Sequence, residues 1–433
     1  MTLSNRLTTL GRVNRDSLFF HAGFRRLWAG DSASQLGTFV GMTAIPLLAA
    51  VTLAATPFEM GLLTAAETLG FLLIGLPAGV WVDRLRKRPL MLTADLVRAV
   101  LLLSIPFAWW AGVLTMAHVL IAVLLTGFAT VLFDVSYQAY LPALVGRARL
   151  LEGNAKLQGV QSSAQIAGPS LAGVLVQFLG AASTVVVTGA GYLTSALCLW
   201  RIRTVEDRPS RTGHDRLLPQ MLEGLRFVMT DRPLRAIVAC TATSNLFGAA
   251  GQAVEVVFLT RTAGLAPAEV GVLLAVGGIG GILAALCAGP VIRRLGQARS
   301  IWLVPVLSWP GALLVPFAGP GWRLPLAGLG LAAAGFGAIL YNIAQVSYRQ
   351  AITPDRLLGR MNASVRFVVW GAMPLGGLLG GALGEGLGLT GALWAAMGGQ
   401  LIGALWVICS PLRRMRDLPV APETPAPAAQ PGS

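Results

Sequence analysis

Several carboxylic acids stand inside long apolar stretches of this 433-residue chain, where a carboxyl group could carry a proton or bind a cation. Glu67 lies near the middle of one such stretch. An acid at the centre of a membrane span costs about 2.5–3.5 kcal/mol on insertion scales, and apolar surroundings favour its neutral form. We therefore predict proton-coupling groups at Glu67, Asp31 and Asp134. The alternative for Glu67 is a structural partner for a polar group on a neighbouring helix.

A second set of charges lies toward the ends of these stretches, next to basic loops. Asp95 and Arg98 are three residues apart, so they share one face of a helix. The pattern indicates a charge network made of Asp31, Asp83, Arg84, Asp95, Arg98 and Asp134. We expect a gating or structural role for this network rather than direct contact with a substrate.

Uncharged polar residues, one tryptophan and one further acid could line a cavity within the apolar stretches. Glu255 could contact a cationic substrate, or it could lie near enough to the surface to be hydrated. The uncharged residues could equally join helices by hydrogen bonds, as polar side chains do in membranes. The predicted cavity residues are Gln161, Gln165, Asn245, Gln252, Glu255, Asn342, Gln345 and Trp370.

Residues for enzyme chemistry are not grouped in the sequence. The four cysteines lie within or at the ends of apolar stretches and form no CxxC pair, so neither a disulfide nor a metal site is predicted. Neither of the two lysines belongs to the GxxxxGK[ST] pattern of a nucleotide-binding loop. We expect no catalytic residues, no cofactor and no enzymatic activity.

Twelve apolar segments of spanning length must position these residues. A helix of about 20 mostly apolar residues crosses a bilayer, and backbone groups without partners cannot sit in lipid. Apolar residues make up 55% of the chain and charged residues 12%. We predict an all-α membrane protein with spans, numbered one to twelve, at 27–54, 58–82, 89–112, 116–144, 155–179, 182–202, 234–260, 268–292, 300–318, 323–348, 362–385 and 389–411.

Positive charge falls almost entirely on one side of the predicted spans. Of the 33 lysines and arginines, 30 lie in the N-terminal arm, in the tail and in or beside the loops that follow even-numbered spans. Cytoplasmic loops carry such an excess, so we expect a multi-pass protein of the cell membrane with both termini in the cytoplasm. The net charge of +14 then reflects topology and contact with anionic lipid, and no nucleic-acid partner is expected.

The chain repeats itself across a central polar stretch. Residues 154–173 align without gaps on 362–381, and spans two and eight end in similar sequences. Two repeated halves are typical of transporters whose site lies between the halves near the midplane. The predicted parts are a cytoplasmic arm (1–26), a six-helix bundle (27–202), a linker (203–233), a second, pseudo-symmetric six-helix bundle (234–411) and a disordered cytoplasmic tail (412–433).

Apolar residues recur at helical spacing within the linker, which predicts a short amphipathic helix there. Two placements of this helix stay open. It could lie on the cytoplasmic surface of the membrane, or it could pack on the bundle as a plain linker helix.

The end of span two, GLPAGVWVDRLRKRPL, resembles the loop 2–3 signature of the major facilitator superfamily. The residues at signature positions are Gly79, Asp83, Arg84, Lys87 and Arg88, whereas Arg86 replaces a glycine. FRRLWAGDSASQLGTF (24–39) and LEGLRFVMTDRPLRAI (222–237) resemble the drug-efflux branch, which includes macrolide-efflux proteins and the enterobactin exporter. The resemblance implies the major facilitator fold and a gating role for the loop.

Span five carries Gly168, Pro169 and Gly173, and it is similar to the antiporter signature of that span in the same superfamily. Small residues let helices approach closely, and proline removes a helix hydrogen bond and permits a bend. The resemblance implies export rather than import. Generic small-residue packing is the alternative.

Taken with the family resemblance, these features favour a secondary active transporter. We expect a monomer that exports hydrophobic or amphipathic small molecules, such as drugs or antibiotics, in exchange for protons by alternating access. One alternative is a dedicated exporter of a siderophore or another secondary metabolite, and a second is a lysophospholipid transporter. A transporter-like receptor or sensor belongs to another class, and the Asp83-Arg84 loop argues against it.

Overall fold

The structure, a computed structural model, describes residues 17–146, 149–203 and 217–417, without the side chains of 76, 80, 83, 217–221 and 355. Within these residues every regular element is a helix, and the predicted all-α class is confirmed. Spans one to six are Ala22–Leu47, continued by a π-helix at Leu48–Thr52, then Pro57–Arg84, Lys87–Trp110, Met116–Val145, Leu150–Leu179 and Ala181–Trp200. Spans seven to ten are Arg232–Val257, continued by a π-helix at Phe258–Thr262, then Pro267–Leu295, Gln297–Ser308 with a 3-10 helix at Trp309–Phe317, and Arg323–Ile352. The linker helix is Leu217–Thr230, and one helix, Asp355–Ile408, holds the last two predicted spans.

That last helix, of 54 residues, is interrupted at Gly388. Gly388 has φ 72° and ψ 167°, a conformation that glycine adopts readily because it has no Cβ. Counted as one, this helix is among nine in the described residues that are long and apolar enough to cross a membrane. The count of twelve spans therefore stays a prediction.

Spans five and seven are long helices that are too polar to be among those nine. Span five has 30 residues and span seven has 26, which is ample to cross a bilayer. A polar helix face in a membrane must turn toward other helices or toward a water-filled cavity. The polarity of these two helices thus indicates where an internal cavity lies.

Spans two and eight begin with the same local design. Glu59 accepts a hydrogen bond from the Thr56 N–H group at 2.8 Å, and Glu269 accepts one from the Ala266 N–H group at 2.8 Å. A proline, Pro57 or Pro267, occupies the first helical position in each case. Because these caps satisfy backbone donors that the helix leaves open, both helices start at a fixed point, and the internal repeat extends to their first turns.

The two halves meet through span two with span eleven and through span five with span eight. At the end away from the basic loops, these helices come into backbone contact. A methyl group on Gly61 would lie 2.6 Å from the carbonyl oxygen of Gly377, and one on Gly173 would collide with the carbonyl oxygen of Pro267. Only glycine permits so close an approach, so this contact depends on residues without a side chain.

Two polar contacts strengthen the same closed end. The Arg261 guanidinium group donates to the carbonyl oxygen of Ala50 at 2.7 Å, and the Phe58 N–H group donates to the Glu385 carboxylate at 3.3 Å. Both charged side chains belong to the second half, and both partners are main-chain groups of the first. Phe58 lies in the first turn of span two, where backbone N–H groups have no partner within the helix.

The same helix faces are apart at the end that carries the basic loops, called the basic end below. Gly79 lies 18 residues from Gly61, and Gly359 lies 18 residues from Gly377. Eighteen residues make five helical turns, so each pair shares a face. A methyl group on Gly79 or Gly359 would meet no atom of a neighbouring element within 4 Å. The halves therefore touch at one end and diverge toward the basic end.

Glycines of the internal repeat make equivalent contacts in the two halves. Gly168 packs against span one, and its counterpart Gly376 packs against span seven. Gly173 faces span eight of the other half, and its counterpart Gly381 faces span two of the other half. In each half, one glycine closes the packing within the bundle and the other forms the contact between bundles.

The linker helix packs on the second half, against spans eleven and seven. Glu223 pairs with Arg360 and lies 3.6 Å from Arg356, both at the start of span eleven. Gly224 packs directly against the backbone of Arg360. Of the two placements left open by the sequence, the structure has the linker helix packed on the bundle.

Parts of the sequence predictions fall outside the described residues, namely the arm up to residue 16, the linker at 204–216 and the tail from 418. The side chain of Asp83 also lies outside them, although its backbone is in the last turns of span two. The helices of spans one and five begin at Ala22 and Leu150, five residues before the predicted starts. Hydropathy marks the part of a helix that crosses hydrocarbon, and these helices continue beyond it.

We expect Gly173→Leu to disfavour the state in which the end away from the basic loops is closed, because the new side chain would collide with Pro267 of the other half. Overpacking of this kind costs about 1–3 kcal/mol. Double electron–electron resonance between spin labels at that end, one in each half, should show a shift to longer distances.

Gly168→Leu is the matched control, because Gly168 packs against Phe39 within one half. This variant should lower thermal stability and leave the distances between the halves unchanged. An equal shift in both variants would contradict the assignment of Gly173 to a contact that opens and closes.

Candidate functional site: a polar cavity between the halves

A polar cavity of about 610 Å³ lies in the first half, toward the basic end. Spans one, four and five supply most of its wall, and Trp370 of span eleven reaches it from the second half. Its volume is within the range of small-molecule sites. The polar residues of spans one and five on its wall are Asp31, Ser34, Gln35, Thr38, Asn154, Gln158 and Gln161.

Two of the predicted acids, Asp31 and Asp134, line this cavity from spans one and four. Gln35 and Tyr137 flank the carboxyl group of Asp31. The two carboxyl groups are near enough to interact electrostatically. Two acids that share one cavity attract a cation or a proton more strongly than either acid alone, so this part of the site suits positively charged species.

A buried ion pair stands behind the acids. Arg98 donates to Asp95, and the two side chains are 3% and 0% exposed. The Arg98 guanidinium carbon lies 4.3 Å from the ring centroids of both Phe133 and Tyr192, an arrangement that cation–π attraction stabilises. Removing one partner of a buried pair costs about 3–5 kcal/mol. Arg98 also touches the cavity, so the predicted pair fixes one charge at its wall.

A second cation lies beside the cavity, in the other half. Arg366 of span eleven and Asp134 line one cleft of about 160 Å³ between the halves and interact electrostatically. Trp370 lies in the same cleft, 4.6 Å from Phe71 of span two by ring centroids. The Arg366 guanidinium carbon lies 5.0 Å from the Trp370 ring. Asp134 is therefore positioned to interact across the gap that must change when the halves move.

The second half contains a counterpart cavity of about 330 Å³. Six residues of span one line the first cavity, and a shift of 210 residues turns them into the six residues of span seven that line the second. The counterpart of Asp31 is Thr241, and none of the described residues on the second cavity's wall is charged. The two cavities have equivalent walls on spans one and seven, and among the described residues only the first has acids on its wall.

Most of the predicted cavity residues contact one of the two cavities. Those that do are Gln161, Asn245, Gln252, Asn342 and Trp370. Asn245 also donates to the Val369 carbonyl oxygen at 3.0 Å, so it joins spans seven and eleven as well.

Three predicted cavity residues lie elsewhere. Gln345 is only 2% exposed and donates to Asn342 at 2.9 Å, which orients that cavity residue. Gln165 lies beyond the cavity wall, where its backbone approaches Gly278 of span eight. Glu255 also lies outside both cavities, and its Oε1 atom is buried without a hydrogen-bond partner among the described residues.

Glu67 does not line either cavity. It lies where span two presses against span four, because a methyl group on Gly127 would be 3.2 Å from the Glu67 carbonyl oxygen. Its side chain is partly buried. The sequence predicts how deep this acid lies in the membrane span, but it does not predict which neighbouring helix the side chain faces.

Residues of the loop 2–3 signature lie at the basic end. Arg88 donates to the carbonyl oxygens of Leu199 at 2.8 Å and Trp200 at 2.5 Å, so it ties the start of span three to the end of span six. Arg84 is exposed, Lys87 is half-buried, and Gly79 faces the open gap.

The arrangement is suited to binding and proton exchange. Among the residues the structure describes, no group of three or more His, Cys, Asp or Glu side chains could hold a metal ion. Arg366 is the residue that sequence reasoning missed, because it was counted as a basic loop charge. The internal repeat carried a signal, since it pairs Arg366 with Gln158 of the first cavity.

Comparison with known proteins agrees with this geometry. A model of the transmembrane secretion effector family matches residues 17–430. The multidrug efflux pump Tap of Mycolicibacterium fortuitum is 29% identical over 380 residues, which cover 84% of this chain and 89% of the pump. The enterobactin exporter EntS of Shigella boydii is 25% identical over 429 residues, which cover 94% and 98% of the two chains.

Solved structures show the same fold. A bacterial homologue of the iron transporter ferroportin in an inward-facing state superposes with a TM-score of 0.73 at 14% identity, over 89% of this chain and 98% of the other. A bacterial homologue of the lysosomal transporter Spinster, inward-facing and occupied, gives a TM-score of 0.70 at 15% identity, over 92% and 98%. The predicted fold is confirmed, and this multi-pass membrane chain belongs to the transmembrane secretion effector family of major facilitator transporters.

Proposed function

We propose that this transporter exports hydrophobic or amphipathic small molecules in exchange for protons, and that its preferred substrates carry positive charge. The observation that supports this most strongly is the pair of related cavities, one in each half, of which only the first has acids among the described residues of its wall. A relative is named as a multidrug efflux pump, which is in keeping with a cavity that binds by apolar and charge contacts. The protein acts as a monomer in this proposal.

The basic end faces the cytoplasm in this proposal. Thirty of 33 lysines and arginines belong to that end or to the two termini, and cytoplasmic loops carry such an excess. Both termini then lie in the cytoplasm of a cell whose inner or plasma membrane holds the protein. With this orientation the closed glycine contact would lie on the outer side, and the structure would correspond to an inward-open state that takes substrate from the cytoplasm or from the inner leaflet.

Coupling follows from competition for the acids. A cationic substrate that enters from the cytoplasm would pair with Asp31 and Asp134, which face the first cavity. When the halves close over the basic end and open outward, protons from outside would neutralise these acids and release the substrate. Asp134 interacts with Arg366 of the other half. Protonation of Asp134 would weaken this attraction and so would change the contact between the halves. Glu67 is a further candidate, as a proton carrier outside the cavity.

A dedicated exporter of a siderophore or another secondary metabolite is the second candidate. The name of a relative that matches 94% of this chain, an enterobactin exporter, favours it. Transport assays in inside-out vesicles, with a panel of cationic drugs and of siderophores and with or without a pH gradient, separate the two. Uptake confined to siderophores would replace the first proposal with the second.

We expect Asp134→Asn to weaken proton-driven transport of a cationic dye in inside-out vesicles by about tenfold or more, since it removes one charged contact to the substrate. Asp134→Glu should restore part of the activity. Glu255→Gln is the matched control, because Glu255 is a buried acid outside both cavities. Equal losses in Asp134→Asn and Glu255→Gln would mean that the cavity acid has no special role.

Glu67→Gln is expected to abolish efflux driven by the pH gradient while the protein still folds and inserts. The reason is that a carboxyl group in apolar surroundings can take up and release a proton, whereas an amide cannot. Transport and its pH dependence are measured in the same vesicles. Wild-type rates with intact pH dependence would remove Glu67 from the mechanism.

Asp83→Asn should loosen the outward-open state, because the loop 2–3 signature carries this acid at the end of span two. We expect transport to fall and a cysteine introduced as Gln161→Cys, on the cavity wall, to react faster with a water-soluble maleimide. Asp417→Asn, an exposed acid near the same end, is the control. Unchanged transport and labelling in Asp83→Asn would leave the loop as a topology signal alone.

A further inference from the structure

A separate cavity of about 920 Å³ lies at the basic end, on the second half. It is bounded by the linker helix, the start of span seven and the end of span twelve with the short 3-10 helix Pro411–Arg414 that follows. None of its lining residues belongs to the two central cavities. The transport mechanism therefore makes no use of it.

Four arginines line this cavity, namely Arg232, Arg235, Arg413 and Arg414. Among the residues that the structure describes, no acid is on its wall and none of the four arginines has an ion-pair partner. Arg235 makes one long contact, 3.4 Å, to the Met229 carbonyl oxygen. The adjacent acid, Asp231, is occupied in capping span seven, where it accepts from the Leu234 N–H group at 2.8 Å. Such an excess of positive charge is complementary to a phosphate group.

Apart from Ser410, the rest of the wall is apolar. Leu225 and Val228 come from the linker helix, Val238 and Ala239 from span seven, and Val368 from span eleven. Trp406, near the end of span twelve, is 53% exposed and hydrogen-bonds Thr243 with its ring nitrogen at 3.2 Å. An indole in this position is typical of the boundary between headgroups and hydrocarbon. The cavity thus offers charge at its basic-end rim and apolar surface beside the bilayer.

We propose that this cavity binds an anionic phospholipid of the leaflet at the basic end, with its phosphate among the four arginines and an acyl chain along Trp406 and Val368. Basic pockets between membrane helices on the cytoplasmic side recognise anionic headgroups in this way. The lipid would bridge the linker helix, span seven and span twelve. The site is independent of the proposed export function.

The test is native mass spectrometry of the purified full chain with phosphatidylglycerol or phosphatidylcholine of the same acyl chains. We expect phosphatidylglycerol to bind in preference, and Arg413→Gln with Arg414→Gln to weaken its binding by about fivefold for each arginine removed. Arg293→Gln with Arg294→Gln removes the same charge from exposed arginines at the same end, outside this cavity, and should leave binding unchanged.

Ala239→Trp keeps every arginine and fills the apolar wall, so it should also reduce phosphatidylglycerol binding even if the arginine variants are poorly folded. Glycerol 3-phosphate, the headgroup phosphate without chains, should not raise the melting temperature at concentrations where the lipid does. Equal loss in the two arginine pairs, equal binding of phosphatidylcholine, equal stabilisation by glycerol 3-phosphate, or undiminished binding in Ala239→Trp would each overturn the proposal.

Discussion

The closest approach between the two halves depends on the absence of side chains. At Gly61, Gly173, Gly377 and Gly381 the backbones of opposite halves touch, and a single methyl group would push them apart. In a membrane, where lipid tails are as apolar as leucine, helices associate chiefly through such close packing. The glycine contact itself involves no charged side chain, so opening it exposes only backbone and apolar surface, whereas Arg261 and Glu385 add two polar contacts at the same end. Because the halves are in contact at one end, they diverge toward the basic end, and the cavities lie where they diverge.

The two cavities show how a duplicated scaffold can hold an unequal site. Span one and span seven present residues at equivalent positions, yet an acid in the first is a threonine in the second. Charge on a cavity wall has a large effect on what binds, so the difference of one or two acids sets the chemistry while the helix packing sets the shape. The buried Asp95–Arg98 pair, held between two aromatic rings, belongs to the shape, because its neutralised charges cost much to separate.

Sequence reasoning predicted the fold class and many of the cavity residues, and its failures have a common cause. Polar residues on otherwise apolar helices, such as Asp31 and Gln161, had to face protein or water, and they do line the cavity. Glu67 lies outside both cavities, and because its neighbours along span two are apolar, periodicity could not tell which way the acid points. Arg366 falls inside predicted span eleven, but its charge was explained by the topology of the neighbouring loop, so its place beside Asp134 was missed. Gln345 was assigned to a cavity because sequence cannot separate a side chain that contacts substrate from one that orients its neighbour.

The polar contacts of the closed end have a consequence for how the two halves can change over evolutionary time. Arg261 and Glu385 of the second half bind the main chain of the first, at Ala50 and Phe58. A main-chain group is present whatever the residue, so the first half can exchange its side chains there without losing the contact. Substitutions in one half therefore need no compensating substitutions in the other at these points. Each half can change its substrate-binding residues while the contact that closes this end is kept.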